Sequence, residues 1–337
     1  MTHDRVEPRL PVARGAVSAA VSEYLLGTGP LPAPAEVARA AVYGDDLQLA
    51  LYLCYELHYR GFADVPRDLE WDPELLRTRA ALEHRFLTAL RTDAQVHDGV
   101  EDALAPLLVE PVDGSGVTHY LRDEGALWQL REYAAQRSLY HLKEADPHAW
   151  VLPRLWGRAK AAMAAVEFDE YGGGRADRVH ARLFADLMAD LGLETTYGHY
   201  VDAAGAEVLA TVNLMSLFGL HRQLRGALVG HFAAVEVTSS PGSRRLAEAL
   251  RRTGAGPAAA HFYDEHVEAD AVHEQVVRHD VIGGLLAEEP HLAPDVAFGI
   301  DATVCLEDRL ADRLLTDWRA GRSSLRTPLT SESSVTS

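Results

Sequence analysis

Apolar positions recur at intervals of three and four residues along most of the chain, the period of a helix that buries one face. The pattern predicts amphipathic helices over 16–26, 46–62, 73–91 and 126–145. It continues over 153–171, 175–192, 209–237, 244–252, 260–286 and 296–321. Strand-type alternation is missing; a short extended turn at 110–120, EPVDGSGVTHY, is the single candidate. Prolines punctuate the first third of the chain, and none falls between Pro153 and Pro241. A proline costs about 3 kcal/mol inside a helix, so this interval permits long helices while the earlier cluster implies shorter ones joined by turns. The hydroxyl-rich segment SSLRTPLTSESSVTS (323–337) has too few large apolar groups to offset the entropy of ordering, and is expected to be mobile. No fixed repeat and no Pro/Gly/Ser linker divides the chain. The expected architecture is all-α: helices of 1–120 packed on a bundle spanning 121–322, followed by the tail at 323–337.

Composition adds limits on partners. The 337 residues are 47% hydrophobic and 24% charged, which suits a folded chain with a sizeable core. Fifty acidic against 32 basic residues give a formal charge of -18. Such a surface repels phosphate backbones and anionic lipid heads, so neither nucleic acid nor membrane is an expected partner. Cys54 and Cys305 lie far apart and form no CxxC pair, which leaves no disulfide framework or thiolate metal site. No apolar run reaches the roughly 18 residues of a membrane span, and the N-terminal stretch lacks a leader-type core. A reducing cytoplasm is the expected compartment, with a homodimer through exposed helix faces as the default assembly.

Chemistry concentrates in three segments. In HVEADAVH, His266, Asp270 and His273 stand at i, i+4 and i+7, within roughly 60° of one helix face. Two imidazoles and a carboxylate suit Fe(II), Mn or Zn better than Cu(I) or an Fe–S cluster. Glu170 and His180 are ten positions apart, about 80° out of phase on a straight helix, but Gly172, Gly173 and Gly174 between them allow the phase to reset. Spacing alone permits their convergence without requiring it. Glu144 ends the preceding helix before Asp146-Pro147. Three carboxylates and three imidazoles from adjacent helices are the kind of set that holds two irons in a bundle. The spacing is not that of ferritin-like proteins, since neither Glu144 nor Glu170 is followed by His at i+3.

The runs RSLYHLKEADPHAW (137–150), EFDEYGGGRADRVHARLFADLM (167–188), ATVNLMSLFGLHRQLRGALVGHFAAVEVTSS (210–240) and FYDEHVEADAVHEQVV (262–277) resemble the haem-oxygenase-like diiron oxidases and oxygenases, the iron-containing redox enzymes. The resemblance covers roughly 125–320. The family pattern is a Glu, then Glu-x9-His, then His-x3-Asp-x2-His, which falls here on Glu144, on Glu170 with His180, and on His266, Asp270 and His273. It implies a haem-oxygenase-like helical bundle, two Fe(II)/Fe(III) ions without haem, O2 as co-substrate and an external electron donor. It also implies a small-molecule substrate, an amino acid, amine or fatty acid. Among family outcomes, N-oxygenation of an amino-acid or amine nitrogen is the first expectation, and oxidative C–C cleavage or decarboxylation of an amino or fatty acid the second.

Two other readings compete. A haem-binding relative needs one proximal His and a flat apolar cleft, which leaves five of the six residues without a role. A metal-free helical binding or scaffold protein would use the acidic surface as its contact face. Glu236, at the end of an apolar run, reads as structural first and as a residue close to the metal or substrate second; the pair Glu56 and His58 reads as structural, and the three glycines read as a turn rather than a phosphate loop.

Overall fold

The computed structural model describes residues 7–95, 97–109 and 114–329; within one helix the side chains of residues 268, 270 and 271 lie outside that description. All regular structure among the described residues is helical. The N-terminal part holds α1 (Ala16–Leu25), α2 (Pro34–Arg39), α3 (Asp45–Glu56), α4 (Pro73–Asp93), α5 (Val100–Leu104) and α6 (Val117–Asp123). Then come α7 (Leu127–His141), α8 (Asp146–Ala149), α9 (Gly157–Glu170) and α10 (His180–Asp190). The remainder is α11 (Ala206–Leu220), α12 (Arg225–Thr253), α13 (Pro257–Val276), α14 (Gly283–Glu288) and α15 (Ala293–Arg319). Of the candidate extended turn at 110–120, residues 110–113 lie outside the described residues, 114–116 are irregular and Val117 opens α6.

At the centre α12 packs on α13 on one side and on α15 on the other. Two glycines set the second contact. A Cβ on Gly230 would lie 1.9 Å from the Val296 carbonyl oxygen, and one on Gly299 would lie 2.0 Å from that of Ala227. The backbones therefore touch, as only glycine allows.

The stretch 209–237, which reads as one helix, breaks at His221, whose backbone is extended. Arg154 explains how the break is tolerated: its guanidinium donates to the carbonyls of Gly219 and Leu220, which would otherwise end α11 unpaired. Conversely, Pro241 does not end a helix but lies inside α12, merging the stretches expected at 209–237 and 244–252. Burial of α12 between two partner helices outweighs the missing backbone donor. α3 stops at Glu56 rather than running to residue 62, and is buried on every side from Leu47 onward.

Part of the hydroxyl-rich tail is packed rather than loose. Ser324 is buried, its backbone N–H and hydroxyl both donate to Glu132 Oε2 at 2.9 Å, and Leu325 is buried beside it. Polar satisfaction, which composition does not register, holds this segment; residues 330–337 lie outside the described ones. No described helix is long and apolar enough to cross a membrane.

Candidate metal centre

Local backbone devices aim several of the candidate side chains. α7 ends at His141, and the following turn carries Ala145 at φ 73°, a left-handed conformation that costs an alanine about 1–2 kcal/mol. Arg60 Nη2 donates to the Leu142 carbonyl at 2.8 Å and secures that turn, which turns Glu144 inward to a buried position. Glu170 is the last residue of α9. Gly172, Gly173 and Gly174 all take positive φ (74°, 60° and 79°), so the chain reverses and α10 starts at His180. His180 Nδ1 thereby comes 2.7 Å from Glu170 Oε2 despite the unfavourable helical phase. α13 presents His266 and His273 from one buried face and continues into a π-helical turn at Val277–Ile282, a distortion frequent beside functional sites.

Two groups of potential ligand atoms result, each with members within 4.8 Å of one another. One contains Glu144, Glu170, His180 and His266; the other contains Glu170, Glu236 and His273, so that Glu170 belongs to both. In the first, His266 Nε2 lies 3.7 Å from Glu144 Oε1 and the rings of His180 and His266 are 4.4 Å apart. In the second, His273 Nδ1 lies 3.4 Å from Glu236 Oε2 and 3.6 Å from Glu170 Oε1. Five of the six residues singled out in the sequence are thus brought together. The side chain of the sixth, Asp270, lies outside the described residues.

Supporting contacts orient these groups. His266 Nδ1 donates to the Phe262 carbonyl at 2.7 Å, which fixes the tautomer and leaves Nε2 as the atom directed to the carboxylates. His141 Nδ1 is 2.8 Å from Glu144 Oε1. Burial alone would raise Glu144, but His141 and His266 outweigh it and hold its carboxyl well below the usual range. Burial lowers His180, and the hydrogen bond and charge of Glu170 more than reverse this. Glu167 takes the opposite course: burial, then the charges of Glu170, Glu236 and Asp146, push it up to about 9.

These residues fit a cationic cofactor. Glu144 Oε2 is buried without a hydrogen-bond partner among the described residues. Carboxylates gathered away from water repel one another unless a cation neutralises them. Tyr140, Glu144, His148, Glu170, Glu236 and His266 surround a void of about 20 Å3, larger than the roughly 10–15 Å3 that one water needs. Oxygen and imidazole donors are the set that iron, manganese and zinc accept.

In the sequence a place beside the metal is only the second reading of Glu236, which stands in the apolar run FAAVEV, and neither Glu167 nor His141 stands out. A lone carboxylate amid buried apolar neighbours was the available signal, since it must be either paired or functional. A wider cavity of about 420 Å3 adjoins the cluster, with His266 in its wall.

The model of a family described as iron-containing redox enzyme matches residues 131–308, which include every residue of both groups. No curated protein matches the chain.

Proposed function

Since the chain belongs to the iron-containing redox enzyme family, we propose that it is a non-haem diiron oxygenase that oxidises a nitrogen of a small amino acid or amine. Glu144, Glu170, His180 and His266 would hold one iron, and Glu170, Glu236 and His273 would hold the second, with Asp270 as the remaining ligand expected from its place in the sequence of α13. The observation that carries this reading is the sharing of Glu170 between two buried Glu/His groups, since a common carboxylate is what joins two metal ions in a helical bundle.

When bound, the iron pair supplies O2 activation. An N-hydroxylation then inserts one oxygen atom of O2 into an N–H bond, and the other leaves as water with two electrons and two protons from an external donor. The chain contributes position and dryness. Phe262 packs on His266, Phe184 on Phe262 and His141, and Phe232 on His148; all three rings are buried and exclude bulk water. His141 holds Glu144 in place.

The test is anaerobic loading of the purified chain with Fe(II), an iron count, and exposure to O2 with amines and amino acids while products are identified. Two irons per chain and N-hydroxylated product are expected. Glu170→Ala should lose both irons, while His180→Ala and His273→Ala should each abolish O2 consumption with helicity retained. A chain that takes up less than one iron, or variants that still turn over, defeats the proposal; alkene or decarboxylated product moves the chemistry to C–C cleavage.

A further inference from the structure

The turn that carries Glu144 runs straight into α8, where the His148 backbone N–H donates to the Ala145 carbonyl at 2.9 Å. This short helix sets the His148 imidazole in the wall of the void that Glu144, Glu170, Glu236 and His266 also line. His148 is 1% exposed, and its ring packs on Phe232 with centroids 4.9 Å apart.

His148 Nε2 is buried without a hydrogen-bond partner among the described residues, a condition that calls for an explanation in a folded chain. Its Nδ1 lies 3.5 Å from the Tyr140 hydroxyl, the outer limit of a hydrogen bond. Burial, then the charges of Glu144 and Glu170, hold Tyr140 well above its usual pKa, so the phenol keeps its hydrogen and donates. The imidazole, held neutral by burial and then by His231, therefore carries its own hydrogen on Nε2. Among the described residues His148 belongs to neither group of potential ligand atoms. It stands instead across a void of about 20 Å3 from them, which is room for one small molecule.

His231 is the competing partner. Thr303 donates its hydroxyl to the Gly299 carbonyl at 2.7 Å, so at 2.8 Å it accepts from His231 Nδ1. His231 Nε2 is thus a bare lone pair, also buried and unpartnered among the described residues. The two rings lie 5.2 Å apart, and a water shared by both Nε2 atoms would leave His148 nothing to offer the void. Of the two, however, His148 is the one that lines it.

We propose that His148 is a catalytic residue whose Nε2–H donates a hydrogen bond to the O2 that the metal pair receives in this void. The inference rests on the diiron reading for the metal and goes beyond it by giving a role to a residue outside the ligand set. Negative charge grows on O2 as electrons from the external donor reach it, and an N–H already in position stabilises that charge without reorganising. The hydrogen stays on His148, and no bond to it breaks.

The test uses nitric oxide, a diatomic stand-in for O2, on the full chain loaded with Fe(II) under nitrogen. The N–O stretch is read by infrared spectroscopy and the release rate by stopped flow, for the parent, His148→Leu, His148→Gln and His231→Leu. All four should take up two irons. In His148→Leu the stretch should rise and release should quicken about ten-fold, while His148→Gln, whose amide keeps an N–H, should stay within about three-fold of the parent. His231→Leu should leave both readings near those of the parent. If His148→Leu matches the parent, or if His231→Leu moves the readings as far as His148→Leu does, the proposal is overturned. Should the variants fail to fold, the parent decides, since its stretch should shift between H2O and D2O and an unchanged value overturns the proposal. A chain that takes up no Fe(II) defeats the diiron reading and this assignment together; one that takes up two and is indifferent to His148 defeats this assignment alone.

Discussion

Lys143 Nζ donates to Glu56 Oε2 at 2.9 Å, and both side chains are buried. Tyr197 donates its hydroxyl to the other Glu56 oxygen at 2.6 Å. The pair ties α3 to the turn that bears Glu144, so the N-terminal helices position a candidate ligand rather than merely cover the bundle. Breaking a buried pair by removing one partner costs about 3–5 kcal/mol, because the remaining charge has no counterpart. Glu56→Gln should therefore lower unfolding stability by about that amount in urea or guanidinium titration. It should also weaken metal binding at the group containing Glu144 more than at the group containing Glu236. A variant as stable as the parent, or one that loses metal equally from both groups, would refute this coupling.

The pH dependence of the metal-free chain follows from His273. Burial depresses its affinity for a proton, but the hydrogen bond and charge of Glu236, with Glu170 and Asp169, outweigh burial and bring it from 6.5 up to about 9. A histidine raised in the folded state contributes stability that is fully present below its unfolded value and lost as pH rises through the folded one. Melting temperature without metal should fall between pH 6.5 and 9, and His273→Ala should flatten that decline. Metal affinity should run the other way, rising over the same interval with release of protons, because an imidazole must be deprotonated to ligate. Titrations at several pH values with proton counting check both halves.

Glu167 gives a second window. Its carboxyl is raised from 4.5 to about 9 by burial and by Glu170, Glu236 and Asp146. Between those values the folded chain keeps a proton that the unfolded chain releases, so stability falls as pH rises. From pH 4.5 to 6.5 this residue acts without His273. Glu167→Gln keeps the shape and removes the titration, so the metal-free variant should melt higher than the parent above pH 6.5 and show a shallower slope below it. Identical slopes in thermal melts would show that Glu167 does not face the carboxylates as described.

How much of this was legible in the sequence depends on how each residue is placed. His266 and His273 share a face because helical period alone puts them there, and the all-helical fold follows from the same period. Glu170 and His180 converge only through three consecutive left-handed glycines, and a spacing of ten residues cannot encode that reversal. Glu236 sits among apolar side chains on α12 and is distinguished from a helix-end charge only by what α13 brings against it. Pro241 inside α12 and the capped break at His221 show tertiary packing overriding local propensity in opposite directions.

The contact between α12 and α15 should be the least forgiving part of the molecule. A Cβ at position 230 would stand 1.9 Å from the Val296 carbonyl oxygen, 2.8 Å from its carbon and 3.1 Å from the Ile300 nitrogen, all backbone atoms that cannot rotate away. One helix must therefore move as a rod, which opens packing along its length and shifts Glu236 and Glu307, carried by α12 and α15, together. Gly230→Ala and Gly299→Ala should each cost about 3 kcal/mol or more, the upper range for overpacking a core. Because both substitutions wedge the same interface, the second should cost less once the first has separated the helices, leaving the double variant short of the sum. Denaturant titration of the two single variants and the double measures this directly. Losses under 0.5 kcal/mol, or strict additivity, would show that the two backbones do not approach as closely as the glycines imply.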